Sequence, residues 1–146
     1  MTSEIAIYDM DLTITRRATL IPFLWHAGIR IAPWRLLLLP LAIPGLIAYQ
    51  FGGIDRGRLK ELLQHILLGP HCNRAELMQV AASFAESTLT HNVYRGALAQ
   101  IAVDRAAGRK LVMATASYRL YAEAIANQLG FDDVIATNYG HDGDTF

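Results

Sequence analysis

The stretch KLVMATASYRLYAEAIANQLGFDDVIAT, residues 110–137, constrains the fold more than any other part of this chain. Lys110–Thr115 and Val134–Thr137 are short apolar runs that read as strands. Between them Leu120, Ala124, Ile125 and Leu129 recur at helical spacing, with Ser117 placed as an N-cap and Gly130 as a stop. Two strands joined through a helix can lie side by side only by a crossover. That connection makes them parallel and puts helices over the sheet. A further helix over about Tyr94–Ala107, stopped by Gly108, feeds the first of these strands in the same way. The predicted fold class is therefore α/β, with a Rossmann-like parallel sheet.

A third strand, Glu4–Asp9, is followed at once by Met10, Asp11, Leu12 and Thr13. Charges at the end of a buried strand need partners, and open parallel sheets take their ligands beyond the carboxyl ends of the strands. Asp9, Asp11 and Thr13 lie there after the first strand; Thr115, Ala116 and Ser117 lie there after the second. A helix beginning near Tyr118 aims its free N–H groups at the same crevice, which makes an anion site. Two acids with a divalent cation beside an anion site point to phosphoryl chemistry. The structural alternative is an Asx-type turn with Thr13 as a helix cap.

The interval from Thr15 to about Asn92 holds no strand pattern. DRGRLKELLQHILLG carries Leu59, Leu62, Leu63, Ile66 and Leu67 on one helical face, with Gly69–Pro70 as a stop. NRAELMQVAASFAESTL repeats the pattern from a capping Asn73. We read residues 16–92 as a helical insertion, and residues 1–15 with 93–146 as the α/β core. From Leu36 to Ile54 no side chain is charged, which reaches the ~20 residues of a membrane span. Pro40, Pro44 and Gly45 interrupt that run, so it reads as two short apolar helices. They offer a membrane-surface contact through residues 36–54.

The sequence IAIYDMDLTITRRAT resembles the first motif of the haloacid dehalogenase superfamily, an apolar strand followed by Asp-x-Asp-x-Thr. The 110–137 stretch resembles its second motif, an apolar strand ending in Thr or Ser, in the phosphoserine-phosphatase-like branch (subfamily IB). That branch carries a small helical cap at the position of the insertion here. The resemblance implies a Mg²⁺-dependent phosphomonoester hydrolase acting on a small-molecule phosphate ester. In it Asp9 attacks phosphorus and binds Mg²⁺. Asp11 moves the proton, and its backbone carbonyl is a second metal ligand. Thr115 hydrogen-bonds the phosphoryl group, with Met10, Thr13, Ala116 and Ser117 around it. A second acid is what a phosphatase or phosphomutase needs and a dehalogenase does not.

The resemblance also implies a lysine and late acids beyond the second motif. Lys110 lies at the wrong end of its strand, Lys60 lies in the insertion, and Asp132–Asp133 precede a strand instead of following one. Asp142 and Asp144 have no strand before them. The expectation is an N-terminal fragment lacking the third and fourth motifs. The alternative is a catalytically incomplete phosphate-binding or membrane-associating module.

Composition narrows the rest. With 13 basic and 13 acidic residues the net charge is zero, so nothing favours nucleic acid. The single cysteine, Cys72, rules out a disulfide framework or a cysteine zinc site. No basic-then-apolar leader precedes the first strand, so the expected location is cytoplasmic. Arg16–Arg17 and the Arg56, Arg58, Lys60 cluster read as solvated faces, and Arg119 as within reach of a phosphate. Trp25, Trp34 and Phe23 read as packing of the insertion.

Overall fold

A computed structural model describes residues 4–69 and 72–138. Three strands, β1 (Ile5–Asp9), β2 (Lys110–Tyr118) and β3 (Asp133–Thr137), form a parallel sheet in the order β1-β2-β3. Six α-helices lie among the described residues: α1 (Leu20–Ile31), α2 (Ile43–Gln50), α3 (Arg56–Leu68), α4 (Arg74–His91), α5 (Arg95–Ala106) and α6 (Arg119–Leu129). The predicted α/β class with a parallel sheet is what the chain adopts. β1 and β2 are neighbours despite the long interval between them, with Ile5 opposite Lys110 and Asp9 opposite Ala114.

The described residues divide into two compact units. The first comprises 4–21 and 81–138, the second 22–69 and 72–80. In the first, β2 is the buried centre: Leu111, Val112 and Met113 are buried, as are Ile101 of α5 and Tyr121, Ala122, Ile125, Ala126 and Leu129 of α6. Tyr8 meets Phe131 edge-on at 5.7 Å, and Phe84 meets Tyr121 in the same way at 5.7 Å. Strand parity puts Ile5, Ile7 and Ile135 on one face, where they are 57%, 67% and 60% exposed. A parallel sheet ordinarily has both faces covered; among the described residues this face is covered at Val112, opposite Ile7, and left exposed at the three isoleucines.

The second unit contains no strand among its described residues. A 3-10 segment, Pro33–Ala42, runs into α2, and Gly45 of α2 approaches Leu62 of α3 closely. Arg35 donates to the carbonyls of His65 at 2.8 Å and Ile66 at 3.0 Å, tying the segment to the end of α3. The uncharged run thus forms two short pieces, and no helix among the described residues is long and apolar enough to cross a membrane. Asp55 caps α3 through the Arg58 N–H at 2.8 Å, and Asn73 accepts the Ala75 N–H at 2.9 Å as a capping residue should. Gly69, at φ +82°, ends α3. Its expected companion Pro70 lies outside the described residues, as do His71, His141, Asp142 and Asp144.

Gly130 ends α6 at φ +73°, a left-handed position that a Cβ makes costly. An added Cβ would also meet Arg105 Nη2 at 2.6 Å, the group that donates to the carbonyls of Leu129 and Gly130. Gly130→Ala should therefore lose about 1–3 kcal/mol in urea denaturation. An unchanged midpoint would show that the turn relaxes.

Candidate active site

β1 gives way at Asp9 to a single wide turn, Met10–Ile14, closed by the Thr15 N–H donating to the Met10 carbonyl at 2.9 Å. Met10 and Ile14 are fully buried and pin the turn at both ends. Beyond it Thr15 makes an antiparallel bridge to Val93, with Arg16 N–H to Asn92 O at 2.8 Å and Tyr94 N–H to Ile14 O at 3.0 Å. Leu12 sits on the turn at φ +64°, a conformation rare for a branched side chain. The turn is thus held by its neighbours more than by its own preference, and it holds two carboxylates two residues apart in different surroundings.

Asp9 is exposed, and its carboxylate accepts one long hydrogen bond, from Thr13 Oγ1 at 3.3 Å. Asp11 is half-buried and fully engaged. Its Oδ1 accepts the Thr19 N–H at 2.9 Å and the Thr19 hydroxyl at 2.8 Å; its Oδ2 accepts the Ser117 hydroxyl at 2.6 Å. Thr19 is fully buried and lies 3.3 Å from the hydroxyl of Tyr121, also fully buried. Thr19 has one hydroxyl proton, and its shorter contact is with the Asp11 carboxylate, at 2.8 Å against 3.3 Å to the Tyr121 hydroxyl. Burial pushes the Tyr121 phenol up to about 12, with the Asp11 carboxylate adding to the rise, so it stays a donor at neutral pH.

Of the residues expected at the strand ends, Asp11 and Ser117 are joined directly. Ser117 is not the helix cap that its position suggests. β2 continues to Tyr118, which precedes α6 without a side-chain cap, and the Ser117 hydroxyl turns to Asp11 instead. A carboxylate is the stronger acceptor available to that hydroxyl. The uncapped first turn of α6 leaves backbone N–H groups for an anion. Thr115 Oγ1 accepts the Ser117 N–H at 3.1 Å, which leaves its own proton to donate. Ala116 offers its carbonyl to Thr137 Oγ1 at 3.1 Å. Met10 contributes backbone only; its side chain is core.

Arg119, read as within reach of a phosphate, is engaged with other groups in this structure. It donates to Glu123 at 2.9 Å, to the Val134 carbonyl at 3.2 Å, and to Asn138. Lys110 pairs with Asp133 at 3.5 Å, and Arg16 lies over the Tyr94 ring. Thr19 and Tyr121 were not anticipated. Thr19 did carry a signal: it is a threonine immediately before an apolar helical run, the place of a cap.

A second polar cluster stands behind β1. Tyr8 donates to Asp104, which also receives Arg109 Nη1 at 2.6 Å and Gln100 Nε2 at 3.2 Å, while Arg109 Nε reaches Glu4 at 2.9 Å. The Tyr8 hydrogen bond, then that of Arg109, hold the Asp104 carboxyl below its usual range, and burial pushes Tyr8 up to about 12. A depressed carboxyl stabilises the fold above its ordinary pKa, and that contribution is lost as pH falls through the folded value. Asp104→Asn should lower the urea midpoint at pH 7, and the gap from the parent protein should narrow on acidification below the ordinary carboxylate range. A pH-independent gap would assign the loss to packing.

Residues 6–145 match the family of haloacid dehalogenase-like hydrolases. Protein CicA of Caulobacter vibrioides (strain NA1000 / CB15N) is 36% identical over 132 residues, covering 89% of this chain and 56% of CicA. The chain therefore spans just over half the length of the curated relatives it matches. Among solved structures, a protein with unknown function from Bordetella pertussis Tohama I is similar over 100% of this chain and 65% of its own, with TM-score 0.76 at 17% identity. A phospho-aspartyl intermediate analogue of phosphoserine phosphatase is similar over 98% of this chain and 60% of its own, with TM-score 0.55 at 13% identity. At such identities the structural likeness speaks for the fold, and the sequence match for the family. This chain belongs to the haloacid dehalogenase-like hydrolases.

Proposed function

We propose that residues 1–146 carry the nucleophile half of a Mg²⁺-dependent phosphomonoester hydrolase of the phosphoserine-phosphatase-like branch. The observation that supports this is the division of labour between the two carboxylates. Asp9 is exposed with one weak hydrogen bond, so it is free to attack. Asp11 is held by Thr19 and Ser117, oriented for proton transfer.

In the first step an Asp9 oxygen bonds to phosphorus as the bond to the ester oxygen breaks. The departing alkoxide takes the proton carried by Asp11. In the second step water gives a proton to Asp11 and attacks the aspartyl-phosphate, releasing phosphate and restoring the Asp9 carboxylate. Thr115 and the first-turn N–H groups of α6 would hold the phosphoryl oxygens.

The residues present fit a magnesium ion kept largely hydrated. Among the described residues no three His, Cys, Asp or Glu side chains converge to hold a metal. Asp9 offers an exposed hard oxygen donor, and Mg²⁺ is commonly held by one or two carboxylates, waters and substrate phosphate. Asp9 and the Asp11 backbone carbonyl would hold it, and it would screen the repulsion between carboxylate and phosphate.

The second reading, a module without turnover, is favoured by three cations of the first unit that stand in ion pairs and are not at hand beside Asp9. Lys110, Arg109 and Arg119 are all engaged elsewhere. Hydrolysis of p-nitrophenyl phosphate with and without Mg²⁺ separates the two, combined with mass spectrometry for a phosphoryl adduct on Asp9. It should be run on residues 1–146 and, if the gene continues past Phe146, on the longer product. Turnover with an adduct supports the hydrolase; phosphate binding with neither supports the module.

A further inference from the structure

We propose that the second unit carries a docking surface for an anionic lipid bilayer, formed by Leu37 and Leu41 of the 3-10 segment, the outward face of α2, and Phe51. This inference does not depend on the catalytic reading. Leu37 is 82% exposed and Phe51 85%. Ile43, Leu46 and Ile47 recur at one-turn spacing on α2, each about half exposed, and no residue of α2 is buried. The other side of α2 is accounted for, because Gly45 lies against Leu62 of α3. Isolated exposed apolar side chains are ordinary, whereas a run of them on consecutive turns marks an interaction surface.

Charge selects the occupant. No charged side chain interrupts Leu36–Ile54, yet between residues 22 and 69 the chain carries Arg30, Arg35, Arg56, Arg58 and Lys60 against Asp55 and Glu61. One oxygen of Asp55 is already taken up in capping α3. Basic groups flanking an uncharged apolar surface suit a bilayer with anionic headgroups, where the apolar side chains enter and the cations stay at headgroup level. Trp34 stands 61% exposed at the entrance to the segment, with the Arg35 guanidinium 5.1 Å from its ring centroid, an arrangement suited to an interface that is apolar on one side and wet on the other. A second copy fits the charge less well, since pairing through this patch would bring the two basic sets together. Crossing the bilayer is not required and no helix here would do it.

The test is co-sedimentation of residues 1–146 with phosphatidylcholine vesicles, with and without phosphatidylglycerol. The expected result is binding to the anionic vesicles about tenfold or more above the neutral ones, weakening as salt is raised. Leu37→Glu/Phe51→Glu should abolish it, and Val103→Glu, an equally drastic change on exposed α5, should leave it intact. Both variants are checked by circular dichroism. If the double variant unfolds, quenching of Trp34 emission by brominated lipid in a Trp25→Phe background gives the answer without it, with quenching expected. No pelleting or quenching with either vesicle would overturn the proposal, as would equal binding by a folded double variant. Self-association of the parent chain that the double variant loses, without vesicle binding, would give the patch to a second copy and overturn it too.

Discussion

On the proposed mechanism, Asp9→Asn should remove phosphate-ester turnover, by about 10⁴-fold or more, and with it the phosphoryl adduct. The amide has no lone-pair charge to offer phosphorus, so the step through Asp9 is lost and not merely slowed. In barrier terms this is about 5 kcal/mol or more, since each decade costs about 1.4 kcal/mol. Stability should barely move, within roughly 0.5 kcal/mol, because Asp9 is exposed and accepts only the 3.3 Å bond from Thr13. That asymmetry makes the variant informative: a folded protein without activity identifies a chemical role. Retained turnover, or an adduct on another residue in the variant, would remove Asp9 from the mechanism.

The α/β architecture was legible because the crossover unit over 110–137 leaves few alternatives. Once two apolar strands flank an amphipathic helix, parallel pairing follows, and Gly108 and Gly130 mark their helix ends with positive φ. The pairing of Asp9 with Ala114 could be foreseen only as adjacency, since register depends on contacts between residues about 100 apart. The start of α6 was misread by one local preference. Serine before a helix is normally a cap, but a carboxylate from a distant turn outbids the helix N–H groups for Ser117. Thr19 shows the same limit from the other side. Its place before α1 was visible, but its partner, Asp11, is set by the wide turn, whose form depends on Leu12 taking an uncommon backbone angle.

The exposure of the isoleucines on one sheet face is a further feature that strand pattern alone could not announce. Ile5 and Ile7 read as a buried strand because they are apolar and β-branched, yet both are more than half exposed. Their composition reports the environment such a face calls for, not the one the described residues supply.

Asp11 is where fold and chemistry meet, and two substitutions there should part company. In Asp11→Asn the amide oxygen can still accept both Thr19 donors, and the Ser117 hydroxyl can turn to accept from the amide nitrogen. Stability should stay within about 1 kcal/mol of the parent. Asp11→Ala leaves the Thr19 N–H, the buried Thr19 hydroxyl and the Ser117 hydroxyl without their acceptor, at about 2–4 kcal/mol. Both should lower hydrolysis of alkyl phosphates by about 10²–10⁴-fold, the range of a lost general acid–base group. With p-nitrophenyl phosphate the pattern changes, because p-nitrophenolate departs without a proton. Asp11→Asn should then form the aspartyl-phosphate readily and hydrolyse it slowly, so the adduct accumulates where the parent protein shows little. Equal loss on alkyl and aryl esters, with no accumulation, would mean that Asp11 acts by holding the turn between β1 and α1. Its bonds to Thr19 and Ser117 would then be its whole contribution.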